Sequence, residues 1–204
     1  MLGGDVVLDF VNTASKWSSG DPVDRLGDLS GVAAWAETAG LGETVDLARM
    51  KDEIRRRPAE AAAVFADAVS FRARLWRIFE AAAHSRRAEA TDIAALKDRT
   101  CRARSFRDLE QTDDGFLERW TEDAPVLETP LLAIALSAET LLKEGRVDRL
   151  HVCGGEDCEW MFLDLSKNAS RRWCSMATCG NSAKVKNFRK RKGEHRLAPR
   201  GDNA

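Results

Sequence analysis

The sequence contains no run of eighteen apolar residues. Its greasiest stretch, Leu131 to Leu142, is broken by Ser137, Glu139 and Thr140 and is too short to span a bilayer. A basic segment leading into a long apolar core is also missing from the start, which reads Met1-Leu2-Gly3-Gly4-Asp5, so no signal peptide is expected. Together these absences point to a cytoplasmic protein without a membrane partner. Tyrosine is absent and carries no inference. Histidine is scarce, with only His84, His151 and His195. No His-centred triad, HExxH pair, nucleophile elbow or phosphate loop can be assembled, which argues against an enzyme. No internal repeat is visible. Net charge is lacking too: 32 Lys/Arg stand against 33 Asp/Glu, a net of −1. Taken whole, that balance argues against a nucleic-acid binder.

The balance hides a split. Residues 166–204 hold eleven Lys/Arg and two Asp/Glu, a net of +9, while residues 1–165 carry a net of −10. An acidic body with a basic tail points to a polyanionic partner. The chain has 204 residues, 44% hydrophobic and 32% charged, which is a globular composition. That length allows one ordinary domain, or one domain with a small appendage.

Most of the body reads as helix. Val6 to Thr13 is the exception, an apolar run expected as a short strand or buried extended piece. Asp28 or Ser30 can cap a helix to about Thr38, with Gly40 just past its end. A second helix is expected from Thr44 to Arg56, and Pro58 opens the longest, to about Ser85. There Val64, Ala68, Phe71, Leu75, Ile78 and Ala82 recur at helical spacing. Phe65, Val69, Trp76 and Phe79 widen the stripe, which marks a core helix. Thr91 can cap a further helix to about Thr100, making Cys101 a small buried hydrophobe. Residues 103–109 and 115–121 flank Asp113-Asp114-Gly115, a hairpin signal. A last body helix should start near Glu128 or Thr129 and run to Lys143, closed by Gly145. The fold class expected is mainly α with a small β-hairpin (α+β). A helical domain over residues 1–147 precedes a small module over 148–195 and a tail over 196–204.

The cysteines give the sharpest signal. Cys153 and Cys158 form one C-x4-C pair, and Cys174 and Cys179 form another after a fifteen-residue loop. Two short-spaced pairs separated by such a loop suit a tetrahedral zinc site. Gly154, Gly155 and Gly180 offer backbone freedom for the two knuckles. Four thiolates leave no open coordination position, so one structural zinc is expected rather than a catalytic one. Such a site carries a formal −2, which Arg171, Arg172 and Lys184 can offset. Trp160, Phe162, Trp173 and Met176 would form a miniature core beside it. An iron–sulfur cluster or free buried thiols are the alternatives, less well matched by two symmetric knuckles. His151 is better placed beside the site than in it.

After the last cysteine, Asn181 or Ser182 can cap a helix on which Val185 and Phe188 would dock against the finger. Lys184, Lys186, Arg189, Lys190, Arg191 and Lys192 would then face outward, with Arg171 and Arg172 nearby. A rigid helix with so many cations suits the phosphates of duplex DNA. A solvated tail, or RNA, is the alternative.

These residues carry a family resemblance. Cys153-x4-Cys158-x-Trp160-x-Phe162-x-Asp164-x-Ser166, followed by Arg171-Arg172-Trp173-Cys174-Ser175-Met176-x2-Cys179-Gly180-Asn181, resembles the CGNR zinc finger of bacterial proteins. Ser182 stands where that family has Arg, which bears on affinity or site preference if the Arg contacts DNA. The N-terminal part is similar to the alanine-rich ABATE-type domain that usually precedes this finger. The matching pieces are Leu8 to Thr13, the Leu26 to Leu41 helix with Trp35, and Ser137 to Leu142. The resemblance implies a stress-induced transcription regulator.

The reading that follows is a zinc-containing DNA-binding regulator. Its helical domain would supply dimerisation into a homodimer, or a pocket for a small-molecule effector. Asp9, Asn12 and Thr13 interrupt an apolar run, so they either line such a pocket or brace the fold. The rivals are a small-molecule-binding or enzymatic helical domain stapled by zinc, and a module whose basic helix binds an acidic protein.

Overall fold

The computed structural model describes residues 2–43, 45–113, 115–144, 146–156 and 158–197, without the side chains of Glu43 and of residues 190–197. The chain opens with helix α1, Val6–Val11, where a strand or extended piece was expected. A six-residue apolar run reads the same for a buried strand and a buried helix. Capping decides here. Asp5 accepts the Val7 amide at its carboxylate (3.2 Å), and the same oxygen takes the Ser137 hydroxyl (2.8 Å), tying the helix start to the core. Strands β1, Ala14–Ser15, and β2, Val23–Asp24, pair next.

Helix α2, Leu29–Thr38, starts on the Asp28 cap and ends before Gly40, whose φ of +80° is the left-handed turn glycine accepts without strain. Helix α3, Leu47–Arg56, is capped by Asp46; the expected start at Thr44 lies outside the described residues. Helix α4, Pro58–Ala83, follows with Pro58 in its first turn. Its predicted stripe is the core face: Ala68, Phe71, Leu75, Ile78 and Phe79 are buried, although Val69 turns outward.

Helix α5, Ala90–Ser105, runs past the expected end at Thr100, and Ala103, foreseen as strand, is buried within it. Cys101 lies on its exposed side, contrary to expectation. Strands β3, Arg107–Thr112, and β4, Gly115–Trp120, form the foreseen hairpin; Asp114 at its turn lies outside the described residues. Helix α6, Thr129–Lys143, is deeply buried; the proposed stop at Gly145 also lies outside the described residues. Strands β5, Leu150–Val152, and β6, Met161–Leu163, pair antiparallel, and helix α7, Asn181–Leu197, closes the description.

Among the described residues, two large apolar clusters fill the helical body. One gathers α2, α3 and the start of α4 around Val32, Ala36 and Met50. The other packs α1, α4 and α6 together and takes in Leu150, Met161 and Leu163 from β5 and β6. The strands that carry the first cysteine pair are therefore part of the main core.

Candidate metal centre and basic helix

The first cysteine pair occupies the connection between β5 and β6. The Cys153 amide donates to the Trp160 carbonyl (2.7 Å), extending the ladder, and the Cys158 amide donates to the Gly155 carbonyl (3.1 Å), closing the knuckle. The second pair lies where an extended segment turns into a helix. Cys174 sits in a bend just before the extended Ser175, and Cys179 sits in a wide turn over Met176–Gly180 that runs directly into α7. One knuckle therefore lies on a hairpin and faces a second pair at a helix start. A helix N-terminus also favours a thiolate beside it.

All four sulfurs lie within 4.8 Å of one another. Cys174 Sγ is 3.6 Å from both Cys158 Sγ and Cys179 Sγ. A tetrahedron with Zn–S of about 2.3 Å has edges of about 3.8 Å, so the spacing fits zinc. The surroundings fit as well. Amides of Gly155 (3.4 Å) and Cys174 (3.2 Å) donate to Cys153 Sγ. Hydrogen bonding from Cys158 and these amides pulls the Cys153 thiol down to about 5. Burial pushes Cys174 up to about 12, and the bond to Cys153 drives Cys158 upward. Four thiols this close cannot all ionise without a cation between them. Cys153, Cys158, Cys174 and Cys179 are the ligand set for one structural zinc.

The knuckle glycines serve space rather than backbone freedom, since none of the three has a positive φ. A Cβ on Gly155 would stand 3.0 Å from Cys179 Sγ and 3.1 Å from Cys158 Cβ. Beside the cysteines, Phe162 is buried and Trp160 and Trp173 are partly so. Met176, expected in this small core, is 53% exposed. His151 stacks near Phe162, with ring centroids 5.8 Å apart.

Two residues do more than the sequence suggested. Asp164 is fully buried and accepts the amides of Ser166 (2.9 Å) and Arg171 (2.7 Å), which closes the loop between the cysteine pairs. Its hydrogen bond with Ser166, aided by both amides, holds the carboxyl down at about 2. Arg171 turns inward. Its guanidinium lies 4.2 Å from the Phe162 ring, donates to the carbonyls of Trp173 (2.9 Å) and Cys174, and reaches the Leu2 carbonyl (3.4 Å). Its Nε and one terminal nitrogen are thus engaged by the finger and by Leu2. The motif spacing Phe162-x-Asp164-x-Ser166 was the available signal for this loop.

Of the other cations, Arg172 is exposed over the Trp173 ring, and Lys184, Lys186 and Arg189 are exposed on α7. The side chains of Lys190, Arg191 and Lys192 lie outside the described residues. Arg172, Ser182 and Lys186 border a notch of about 780 Å³ between the first knuckle and α7, where Lys186 pairs with Glu156. Val185 and Phe188 do not dock on the finger; they are 49% and 66% exposed. Helix α7 makes its contacts chiefly with the turn it grows from.

Asp9, Asn12 and Thr13 do border a common cleft, but their polar atoms are largely committed elsewhere. Asn12 brackets one residue of the finger: its Nδ2 donates to the Met161 carbonyl (2.8 Å) and its Oδ1 accepts the Met161 amide (2.7 Å). The Thr13 hydroxyl donates to the Phe10 carbonyl and accepts from Arg72, a buried guanidinium paired with Asp24 (both hydroxyl bonds 2.6 Å). Asp9 Oδ1 accepts the amides of Leu2 and Gly3 (3.0 Å each).

Comparison with known families agrees with this architecture. The CGNR zinc finger family matches residues 149–192, and the ABATE family, described as "Putative stress-induced transcription regulator", matches residues 4–145. No curated protein matches the chain. Among the described residues no helix is long and apolar enough to cross a membrane. With most of its length matched and the four cysteines gathered for zinc, the chain belongs to the ABATE family and carries a CGNR zinc finger.

Proposed function

We propose that this chain is a cytoplasmic, non-enzymatic transcription regulator that grips duplex DNA with its zinc finger. One observation carries the reading. Helix α7 grows directly out of the second metal knuckle and presents Lys184, Lys186 and Arg189 to solvent, with Arg172 across the notch. Zinc fixes the knuckle, the knuckle aims the helix, and the helix sets its cations against phosphates. Lys190, Arg191 and Lys192 extend the same charge along the sequence. With four to six phosphates neutralised, log K falls against log[salt] with a slope of about −4 to −5. The test is a mobility shift of the zinc-loaded protein on random duplex DNA at two salt concentrations. Binding at low salt that weakens with salt and with Lys186→Glu/Arg189→Glu supports the reading. No binding at low salt, or indifference to the charge reversal, sinks it.

One short basic face gives modest affinity, so the regulator acts as a homodimer. Support comes from the β3–β4 ribbon, where Leu109 and Phe116 share one face and are each 69% exposed. A lone two-stranded ribbon is marginal in water, and a second copy would cover it. Sedimentation of the wild type and of Phe116→Ser should separate dimer from monomer. The exposure of Val185 and Phe188 favours one second reading, in which α7 lays a mixed apolar and basic face on an acidic protein. Retained partner binding without salt-sensitive DNA binding would select it.

A further inference from the structure

A cleft of about 560 Å³ opens where the helical body meets the finger. That volume lies within the range of small-molecule sites. Leu26, Ala34, Trp35 and Ala39 form its apolar wall on the body side, and Trp160 closes it from the finger side. Trp35 is a rigid wall, since its ring packs on Phe10 of the core with centroids 5.3 Å apart. Trp160 precedes Met161, whose backbone amide and carbonyl Asn12 both holds.

Arg25 supplies the charge. Its guanidinium lies 5.4 Å from the centre of the Trp160 ring and bonds the Ser15 hydroxyl (2.9 Å). Among the described residues it meets no carboxylate. Most arginines of the acidic body do hold one, Arg72, Arg77 and Arg104 among them. A guanidinium carries five N–H donors, and Ser15 uses one. The other charge on the cleft, Asp9, has Oδ1 on two backbone amides and Oδ2 buried without a hydrogen-bond partner. The cleft thus offers a ligand two indole rings, a largely apolar lining and the Arg25 guanidinium.

We propose that this cleft binds a small monocarboxylate with a flat apolar body, its carboxylate forked on Arg25 and its body between Trp35 and Trp160. Bidentate pairing with guanidinium suits a carboxylate better than a neutral or cationic end group. Because one wall belongs to the finger and the rest to the body, an occupant stabilises the docked arrangement and so the metal-bearing module. This deepens the regulator reading by naming an effector class, and it rests on that reading only for its biological use.

The probe is phenylacetate, titrated calorimetrically into the full-length zinc-loaded protein. Phenylacetamide and phenethylamine carry the same ring with a neutral and a positive end. Saturable 1:1 binding of phenylacetate is expected, with both analogues weaker by about tenfold or more, the worth of one charged hydrogen-bonded pair. Arg25→Met should abolish the preference and Arg25→Lys keep part of it. Saturating phenylacetate should also slow zinc release to a chelator. The proposal is overturned by absent saturation at millimolar phenylacetate, by equal binding of the analogues, by an Arg25→Met protein that binds as before, or by unchanged zinc release. Lys186→Glu/Arg189→Glu should bind phenylacetate normally, so failure of DNA binding and failure of the cleft are told apart.

Discussion

Asn12 joins sequence positions 149 residues apart with two buried hydrogen bonds to Met161. Removing its amide leaves a buried N–H and a buried carbonyl unpaired, at a cost of roughly 2–4 kcal/mol. Asn12→Ala should therefore lower the urea midpoint strongly, whereas Asn12 acting only as a pocket residue would leave it unchanged. Asp164 acts through charge. Its folded carboxyl is held at about 2, below the ordinary 3.8, so it stabilises the fold above pH 3.8 and loses that effect as pH falls through about 2. Asp164→Asn should be less stable than wild type at neutral pH, and the gap should close as the pH is lowered through this window in urea titrations. Ser182 borders the notch beside Lys186 where the CGNR family has Arg. Ser182→Arg adds one cation there, and should steepen the salt slope of DNA binding by about one unit. An unchanged slope in mobility shifts would place position 182 away from the phosphates.

Among the elements, the first knuckle tolerates the least change. Gly155 faces Cys179 Sγ and Cys158 Cβ, and neither can retreat without leaving the metal. Gly155→Ala should weaken zinc binding by about 10- to 100-fold, read by competition with a chelator, with helix content of the body retained. The knuckles were legible in the sequence because their ligands are close neighbours along the chain. The same holds for α2, which starts on the Asp28 cap, and for α4 and α6, which open on a first-turn proline, since these signals and the apolar spacing are local. What escaped was what depends on distant partners. The run at Val6–Val11 is equally apolar as strand or helix, and only Asp5 and its bond to Ser137 on α6 resolve it. Arg171 looked like one more tail cation, but Phe162 and the Trp173 and Cys174 carbonyls claim it. Val185 and Phe188 have docking spacing, and spacing alone does not supply a surface to dock on. Arg25 gave no signal, because an unpaired arginine is visible only once the acids around it are placed.

At the scale of the whole molecule, the metal and the helical body share one core. Leu150, Met161 and Leu163 are at most 2% exposed and pack with residues of α1, α4 and α6. Further links run the same way: the Leu163 amide donates to the Gly3 carbonyl (2.8 Å), and the Ser18 amide to Glu159 (2.9 Å). A module as small as residues 149–192 cannot hold itself folded by apolar burial alone, and zinc contributes roughly 10–16 kcal/mol to such units. Taking the metal away should release β5 and β6, and with them three core side chains worth about 1.5–3 kcal/mol each. For a chain of this size a loss of that order lowers Tm by about 10 °C or more. The expected calorimetric result is one cooperative transition for the zinc-loaded protein, shifted down as a whole by a strong chelator. Two transitions, with only the smaller one sensitive to the chelator, would mean that the finger folds apart from the body. In that case the Asn12 bracket would be a contact rather than a joint, and an effector in the cleft would have no route from Trp35 to the helix that bears the cations.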